Sequence, residues 1–595
     1  MSRLFAPPAT TATTRISMRF SADGSMAACL AVHSGQPYQP ERWTFTSAAE
    51  RSRLLPTAGG ETLYTQLLPL PGKRVLLIRH QGTSHDLVGL TPDRAATRER
   101  RLATITAQGF RLLPGAAHRT LAVSWDQEQS MVWQVDPATG RLKHLAVVPG
   151  MLGGGLALDL TGHELGFTRY GADGATAIGL DLATGVVRPL AAGCSHLLLA
   201  DPASGLAVLA ARTCDGPQLA YLSGHAVVIP TRLNQVDGTV LPLAAAPGGD
   251  AVALRVNRGA RSRLYLHRVA DDSLGEIDIP AGVIGATAAW SASGLRFPYT
   301  SPVCPSGIAR VTPGMASWRL AGVAGEVGQR AHQEWFPGPA GPIEAVVYGD
   351  WCTATHVVVA LHGGPRAAWE MDFHPLLQQL AAAGLAVVAP NQRGSTGYGT
   401  AHAAAIHGAW GGPDRQDIRH LGSALRRRRA AGAAAPALYG ESYGAYLALL
   451  TAAHAPGLWS SCAAVAPFLS GARLYDEASD EVRGMIARLG GRAGLPGNAG
   501  DLAVVAGRIA VPVLIIHGSD DETVPVSQSR HLRELLHAAG RNDVRYAEIP
   551  GAGHDPLSGP GGQAITGQLA GFLCGARRAS SRDRPVTRSP HEERR

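Results

Sequence analysis

The chain has 595 residues, 45% hydrophobic and 17% charged, with a formal net charge of +8 at pH 7. That length exceeds what one hydrophobic core usually serves, so two domains are expected. The charge does not describe a nucleic-acid surface: Lys73 and Lys143 are the only lysines, and the one dense basic run, Arg426 to Arg429, reads as a solvated helix face without aromatic residues for base stacking.

Residues 1–14 are rich in Thr, Ala and Pro and read as an N-terminal arm. Seven turn-then-strand segments follow, in which a small, polar or glycine turn leads into an apolar run. Their glycines, Gly24, Gly72, Gly115, Gly162, Gly205, Gly248 and Gly294, fall 43 to 48 residues apart. That period matches four-stranded propeller blades, so residues 15–322 are expected to form a seven-bladed β-propeller rather than an irregular β-sandwich. Asp136 to Gly140 and Asp181 to Gly185 sit where an outer hairpin of a blade would turn.

Residues 323–577 carry the chemistry. An antiparallel β entry is expected over 334–349, with its turn at 337–342. Val357 to Leu361 then runs as a buried strand into His362-Gly363-Gly364-Pro365. Glycines there let backbone N–H groups approach an oxyanion closely. Further on, Gly440-Glu441-Ser442-Tyr443-Gly444 lies between a short apolar strand and a helix-like run. A nucleophile elbow needs glycines two before and two after its serine, because the strand-to-helix turn leaves no room for side chains. The serine hydroxyl needs a histidine to take its proton. Two later strands end in motifs that supply the partners: Val511 to Ile516 leads into His517-Gly518-Ser519-Asp520-Asp521, and Tyr546 to Ile549 leads to the glycine-flanked His554. The order Ser, Asp, His is that of an α/β-hydrolase. His362, which comes earlier in the chain, reads as a loop strut rather than the base. The oxyanion donors assigned by this architecture are the backbone N–H groups of Gly364 and Tyr443.

The ordered set His362 to Pro365, Pro390 to Gly399, Trp410-Gly411-Gly412 with Asp417, and the elbow resembles the prolyl oligopeptidase family of serine peptidases. It is most similar to the acylaminoacyl-peptidase and dipeptidyl-peptidase-like branch, over roughly residues 335–575. The resemblance implies a β-propeller fused to an α/β-hydrolase with a mostly parallel, doubly wound sheet. It places the catalytic acid at Asp521, with Asp520 as the alternative. It also implies that a propeller cap would select short peptides or small amides by size. Two positions depart from the family pattern. Thr523 stands where members often carry the Arg or Asn that holds a substrate carbonyl, and it offers no charged or bidentate contact. Glu441, beside the nucleophile, either holds a substrate ammonium group or pairs with a nearby arginine.

Seven cysteines without Cys-x-x-Cys spacing suit reduced thiols and a cytoplasmic protein. No apolar run has the length of a signal peptide core or a membrane span, so no membrane association is expected. Histidines lack ligand spacing, and Gly153-Gly154-Gly155 is not followed by Lys-Ser/Thr, so neither metal nor other cofactor is expected. Residues 578–595 read as a disordered basic tail. The leading function is hydrolysis of amide bonds in short peptides. An esterase or small-molecule amidase using the same triad is the alternative, and a non-catalytic propeller scaffold is the third. Side-chain preference, a free or blocked amino end, and assembly into a homo-oligomer stay open.

Overall fold

The computed structural model describes residues 13–575, apart from 34–35, 47–48, 95, 114–118, 215, 225, 313–316, 324–325 and 559–560. The first half is a succession of antiparallel meanders. Five four-stranded sheets cover 13–54, 66–106, 109–149, 151–189 and 194–228, and an eight-stranded sheet covers 239–321. The larger sheet is two further meanders, 239–284 and 289–321, joined where Val283 and Ile284 pair with Thr300 and Tyr299. The repeat glycines explain the first hairpin of each unit. Gly24, Gly72, Gly162, Gly205 and Gly294 have φ between 66° and 118° and lead into the second strand of their meander. A side chain is strained at such φ. Gly115 lies outside the described residues. The Asp136–Gly140 and Asp181–Gly185 turns connect third and fourth strands.

Apolar side chains fill the space between successive meanders. Leu30 shares a buried cluster with Leu67, Leu76 with Leu112, Leu121 with Phe167, and Ala177 with Leu209. Val208 then shares one with Val252, and Leu243 with Phe297. The series returns on itself, because Ile308 of the seventh meander packs with Met18 and Trp43 of the first. Arg15 reinforces that junction. Its Nη1 donates to Ser306 O at 2.8 Å and Gly322 O at 3.0 Å, and Ser306 Oγ donates to Arg15 O at 2.8 Å. These contacts are side-chain packing and side-chain hydrogen bonds; among the described residues no hydrogen-bonded sheet closes on itself.

The second half is one eight-stranded sheet. Its strands are Ala331–Phe336, Ile343–Tyr348, His356–Leu361, Leu385–Pro390, Ala437–Glu441, Cys462–Val465, Val513–Gly518 and Val544–Ile549. Numbered in that chain order they lie side by side as 1-2-4-3-5-6-7-8, antiparallel at the first two pairings and parallel thereafter. This is a doubly wound α/β-hydrolase sheet. Helices Pro413–Arg428 and Tyr443–His454 cover one face, and Pro375–Ala382 and Gly562–Leu573 the other. Helix Tyr443–His454 is buried from Tyr443 to Ala453, as befits a helix apolar on every side.

Some sequence expectations change in detail. Thr13 and Thr14, placed with the arm, pair with His33 and Val32 as the start of the first strand, since their β-branched side chains suit a pleated ladder. Residues 1–12 of that arm and the expected tail at 578–595 lie outside the described residues. Arg426 to Arg428 are exposed, but Arg429 is buried and donates to Ala434 O at 2.5 Å. Among the described residues no helix is long and apolar enough to cross a membrane.

The halves meet at the segment that follows the Gly-Gly loop. Met371 N donates to Ala260 O at 2.8 Å, and Phe373 N to Thr300 Oγ1 at 3.1 Å. Glu370 and Asp372 are thereby held at the junction between the meanders and the hydrolase sheet.

Candidate active site

Strand Ala437–Glu441 turns into helix Tyr443–His454 at Ser442, whose φ of 51° and ψ of −117° lie where non-glycine residues rarely go. The flanking glycines are required by contact. A Cβ on Gly440 would come within 2.1 Å of Gly444 O, and one on Gly444 within 2.3 Å of Leu361 O. Ser442 N donates to Val465 O at 2.8 Å, which ties the elbow to the next strand.

The Gly-Gly loop runs beside the serine. A Cβ on Gly363 would lie 3.6 Å from Ser442 Cβ, and Gly364, with φ of 120°, lines the same cavity as Ser442. His362 and Asn391 brace this loop. His362 is buried, with Nδ1 2.8 Å from Gly363 O and Nε2 2.8 Å from Ser395 Oγ. Burial lowers it to about 4, so it is a neutral strut. Asn391 grips Trp369 by both backbone groups, at 2.7 and 2.9 Å, and Arg393 is fixed by Asp417 at 2.7 Å. On the other side, Tyr443 begins its helix, so its N–H belongs to the first turn and needs no intrahelical acceptor. Its hydroxyl donates to buried Asp414 at 2.6 Å, and its ring packs edge-on to Trp410 at 5.1 Å.

Asp521 is the aspartate that meets the histidine: its Oδ2 lies 2.7 Å from His554 Nδ1. Asp520 instead accepts from Ser519 Oγ at 2.6 Å. The other Asp521 oxygen accepts the N–H groups of Thr523 and Val524 at 2.8 and 2.9 Å. Burial alone would raise the Asp521 pKa, but the hydrogen bonds from His517 and His554 and the charge of His554 outweigh it and hold the carboxyl well below its usual range. His517 was not singled out in the sequence. It is fully buried, with Nε2 3.1 Å from Asp521 Oδ2 and Nδ1 2.6 Å from Ser529 Oγ. Its position at the end of the strand, four residues before the acid, was the available signal.

Ser442 and His554 line one cavity of about 440 Å³. Among the described residues no hydrogen bond joins Ser442 Oγ to the His554 ring. One wall is apolar, with Trp410, Phe468, Leu474 and Met485. The lining also includes Glu370, Asp372, Glu441, Asp555 and Thr523. The expected arginine partner of Glu441 is not found among the described residues. Its neighbours are the Tyr439 hydroxyl at 3.4 Å, the Gly363 N–H, Asp555 and His554. The elbow turns its side chain toward the cavity rather than to the basic surface. Burial, then Asp555, pushes Glu441 up to about 7, and burial, then Glu370, pushes Asp372 up to about 7. Glu370 is raised by burial against the pull of Arg255, 3.7 Å away. No cluster of His, Cys, Asp and Glu fit to hold a metal occurs among the described residues.

Known proteins resemble this chain in sequence over part of its length and in fold over nearly all of it. Residues 371–574 match the model of the prolyl oligopeptidase family. The uncharacterized peptidase YuxL of Bacillus subtilis (strain 168) is 25% identical over 218 residues, covering 34% of this chain and 31% of that protein. The match therefore spans about a third of that relative's length. Among solved structures, a puromycin hydrolase superposes with a TM-score of 0.77 at 18% identity, covering 96% of both chains. Pyrococcus horikoshii acylaminoacyl peptidase superposes with a TM-score of 0.73 at 15% identity, covering 95% of this chain and 96% of that one. At such identities these two structures share the fold along nearly the whole chain.

Proposed function

We propose that this chain, whose residues 371–574 form a prolyl oligopeptidase family domain, is a serine hydrolase that cleaves amide bonds of short peptides through an acyl-enzyme. One observation carries the reading: Ser442 sits on a strained elbow in the cavity wall shared with His554, whose other ring nitrogen is held by buried Asp521. His554 Nε2 takes the Ser442 proton as Oγ attacks the carbonyl. The N–H groups of Gly364 and Tyr443 receive the oxyanion. His554 then returns the proton to the leaving amine, and water hydrolyses the ester by the same relay. Asp521 stays ionised throughout and stabilises the imidazolium. The seryl–imidazole hydrogen bond tightens as substrate binds, as such contacts often do.

The seven meanders serve as a seven-bladed propeller cap, a reading supported by their even period and by the packing of the seventh on the first. Such a cap admits short peptides and excludes folded chains. The apolar wall suits an apolar side chain before the scissile bond, and Thr523 leaves the carbonyl preceding it without a charged partner. Seven unpaired cysteines support a cytoplasmic location.

The four carboxylates favour substrates with a free amino end. Glu441 and Asp372 sit near neutrality at about 7, with Asp555, Glu370, His554, His374, Tyr439 and Arg255 as their charged or titratable neighbours. An ammonium group binds the ionised carboxyls, so affinity rises with pH through that value. KM for an aminoacyl p-nitroanilide falls roughly fivefold between pH 6 and 7.5 for one carboxyl titrating near 7 against an α-amino group titrating at about 7.8. The N-acylated analogue is the control for pH effects that do not involve the amino group. Glu441→Gln raises KM for the free-amine substrate and removes most of the pH effect, sparing the N-acylated one. Equal effects on both substrates would rule out amine recognition. Faster turnover of p-nitrophenyl esters than of every anilide would favour the esterase reading.

A further inference from the structure

A second cavity, of about 550 Å³, is lined by residues of the first, second, sixth and seventh meanders, and Glu370 lines both it and the catalytic cavity. Arg19, on the first strand of the first meander, lines this second cavity. Its Nη1 donates to Leu112 O at 3.2 Å, reaching the strand that carries Arg111. Arg111 in turn donates to Leu152 O at 3.3 Å, and its buried Nε has no partner.

Several buried or half-buried arginines have carboxylates, whereas buried Arg42 and Arg429 have none and donate to backbone carbonyls. Arg15 meets Glu41 at 2.5 Å, Arg79 meets Glu61 at 2.6 Å, and Arg393 meets Asp417 at 2.7 Å. Among the described residues Arg19 and Arg111 have none. Burial lowers the pKa of both, and the charge of Arg19 lowers that of Arg111 further. Two neighbouring half-buried cations without a counter-charge repel one another, and an anion would complete the site. A guanidinium fork matches a carboxylate with paired hydrogen bonds.

We infer that Arg19 and Arg111 form a subsite for the carboxyl-terminal carboxylate of a peptide substrate, entered from the catalytic cavity past Glu370. This rests on the peptidase reading above. A zwitterionic peptide then meets carboxylates at its amino end, beside Ser442, and arginines at its far end. Selection by length follows from the two fixed charges rather than from the width of the entrance alone.

The test compares short peptides ending in a free acid with the same peptides ending in an amide, beside an aminoacyl p-nitroanilide that carries no carboxylate. Wild type shows a KM about tenfold or more lower for acids, the value of one charge-assisted contact. Arg19→Gln and Arg111→Gln abolish that preference by weakening acids only, and leave the anilide unchanged. Equal KM values for acids and amides in wild type overturn the subsite, as does an equal loss on both in the variants. Binding to Ser442→Ala, followed by calorimetry, separates the two levels of the account. Tight binding of the acid without wild-type turnover keeps the subsite and removes the peptidase reading. Binding of inorganic phosphate but not of the peptide acid overturns the peptide assignment. Arg19→Gln melts at or above the wild-type temperature, because it removes an uncompensated half-buried cation; a fall of many degrees would assign the pair a structural role instead.

Discussion

Replacing Ser442 with alanine lowers kcat/KM for an aminoacyl p-nitroanilide by about 10⁶-fold and changes substrate affinity only a few-fold. The size of the loss follows from the nucleophile's place in the cycle. Without Oγ there is no acyl-enzyme, and what survives is stabilisation of a water attack by the Gly364 and Tyr443 N–H groups, worth roughly 10³–10⁴ over water. The fold should not suffer. Alanine at φ 51° is strained as serine is, and the backbone bond from residue 442 to Val465 O remains. Circular dichroism and melting temperature of the variant accordingly match wild type. A loss of less than about 100-fold would mean that another group supplies the nucleophile.

Asp521→Asn is the second large effect, a drop in kcat of about 10⁴-fold. Asp521 accepts at both oxygens: Thr523 and Val524 N–H on one, His554 and His517 on the other. An asparagine can keep an acceptor toward only one of these pairs. If its oxygen stays with the backbone N–H groups, its NH₂ faces His554 Nδ1 and enforces the tautomer with the proton on Nε2. That tautomer cannot accept the Ser442 proton. The imidazolium also loses the buried negative charge that stabilises it. Asp520→Asn provides the comparison: its partner is Ser519 Oγ, so kcat stays within a few-fold. A larger loss from Asp520 than from Asp521 would reassign the acid.

The local parts of this architecture were readable from the chain because each depends on neighbours in sequence. Gly24, Gly72 and their counterparts mark hairpins that need positive φ, so their period exposes the meanders. Gly440 is required by backbone contacts within one strand–turn–helix unit, whereas Gly444 is required by Leu361 O and His362 O of the neighbouring strand end. The strand-end motifs carrying Ser442, Asp521 and His554 stand out because parallel strands present functional groups at one edge. What escaped the sequence is assembled from distant elements. His517 is the local exception: it stands four residues before Asp521, and only the turn after its strand brings its ring against that carboxylate. Glu370, Asp372, Glu441 and Asp555 converge only when the Gly-Gly loop, the elbow and the histidine loop meet around one cavity. Glu441 looked equally ready to pair with an arginine in an arginine-rich chain. Arg19 and Arg111 lie about ninety positions apart on inner strands, and nothing local distinguishes them from the paired arginines. Their difference is the absence of a carboxylate among the described residues, which is a property of three-dimensional packing.

Labelling with a fluorophosphonate, followed by peptide mapping, tests the central claim most directly. A single adduct on Ser442, formed in step with complete loss of aminoacyl p-nitroanilide hydrolysis and absent from Ser442→Ala, is the predicted result. An adduct on another residue, or full labelling of Ser442 with activity retained, would contradict it.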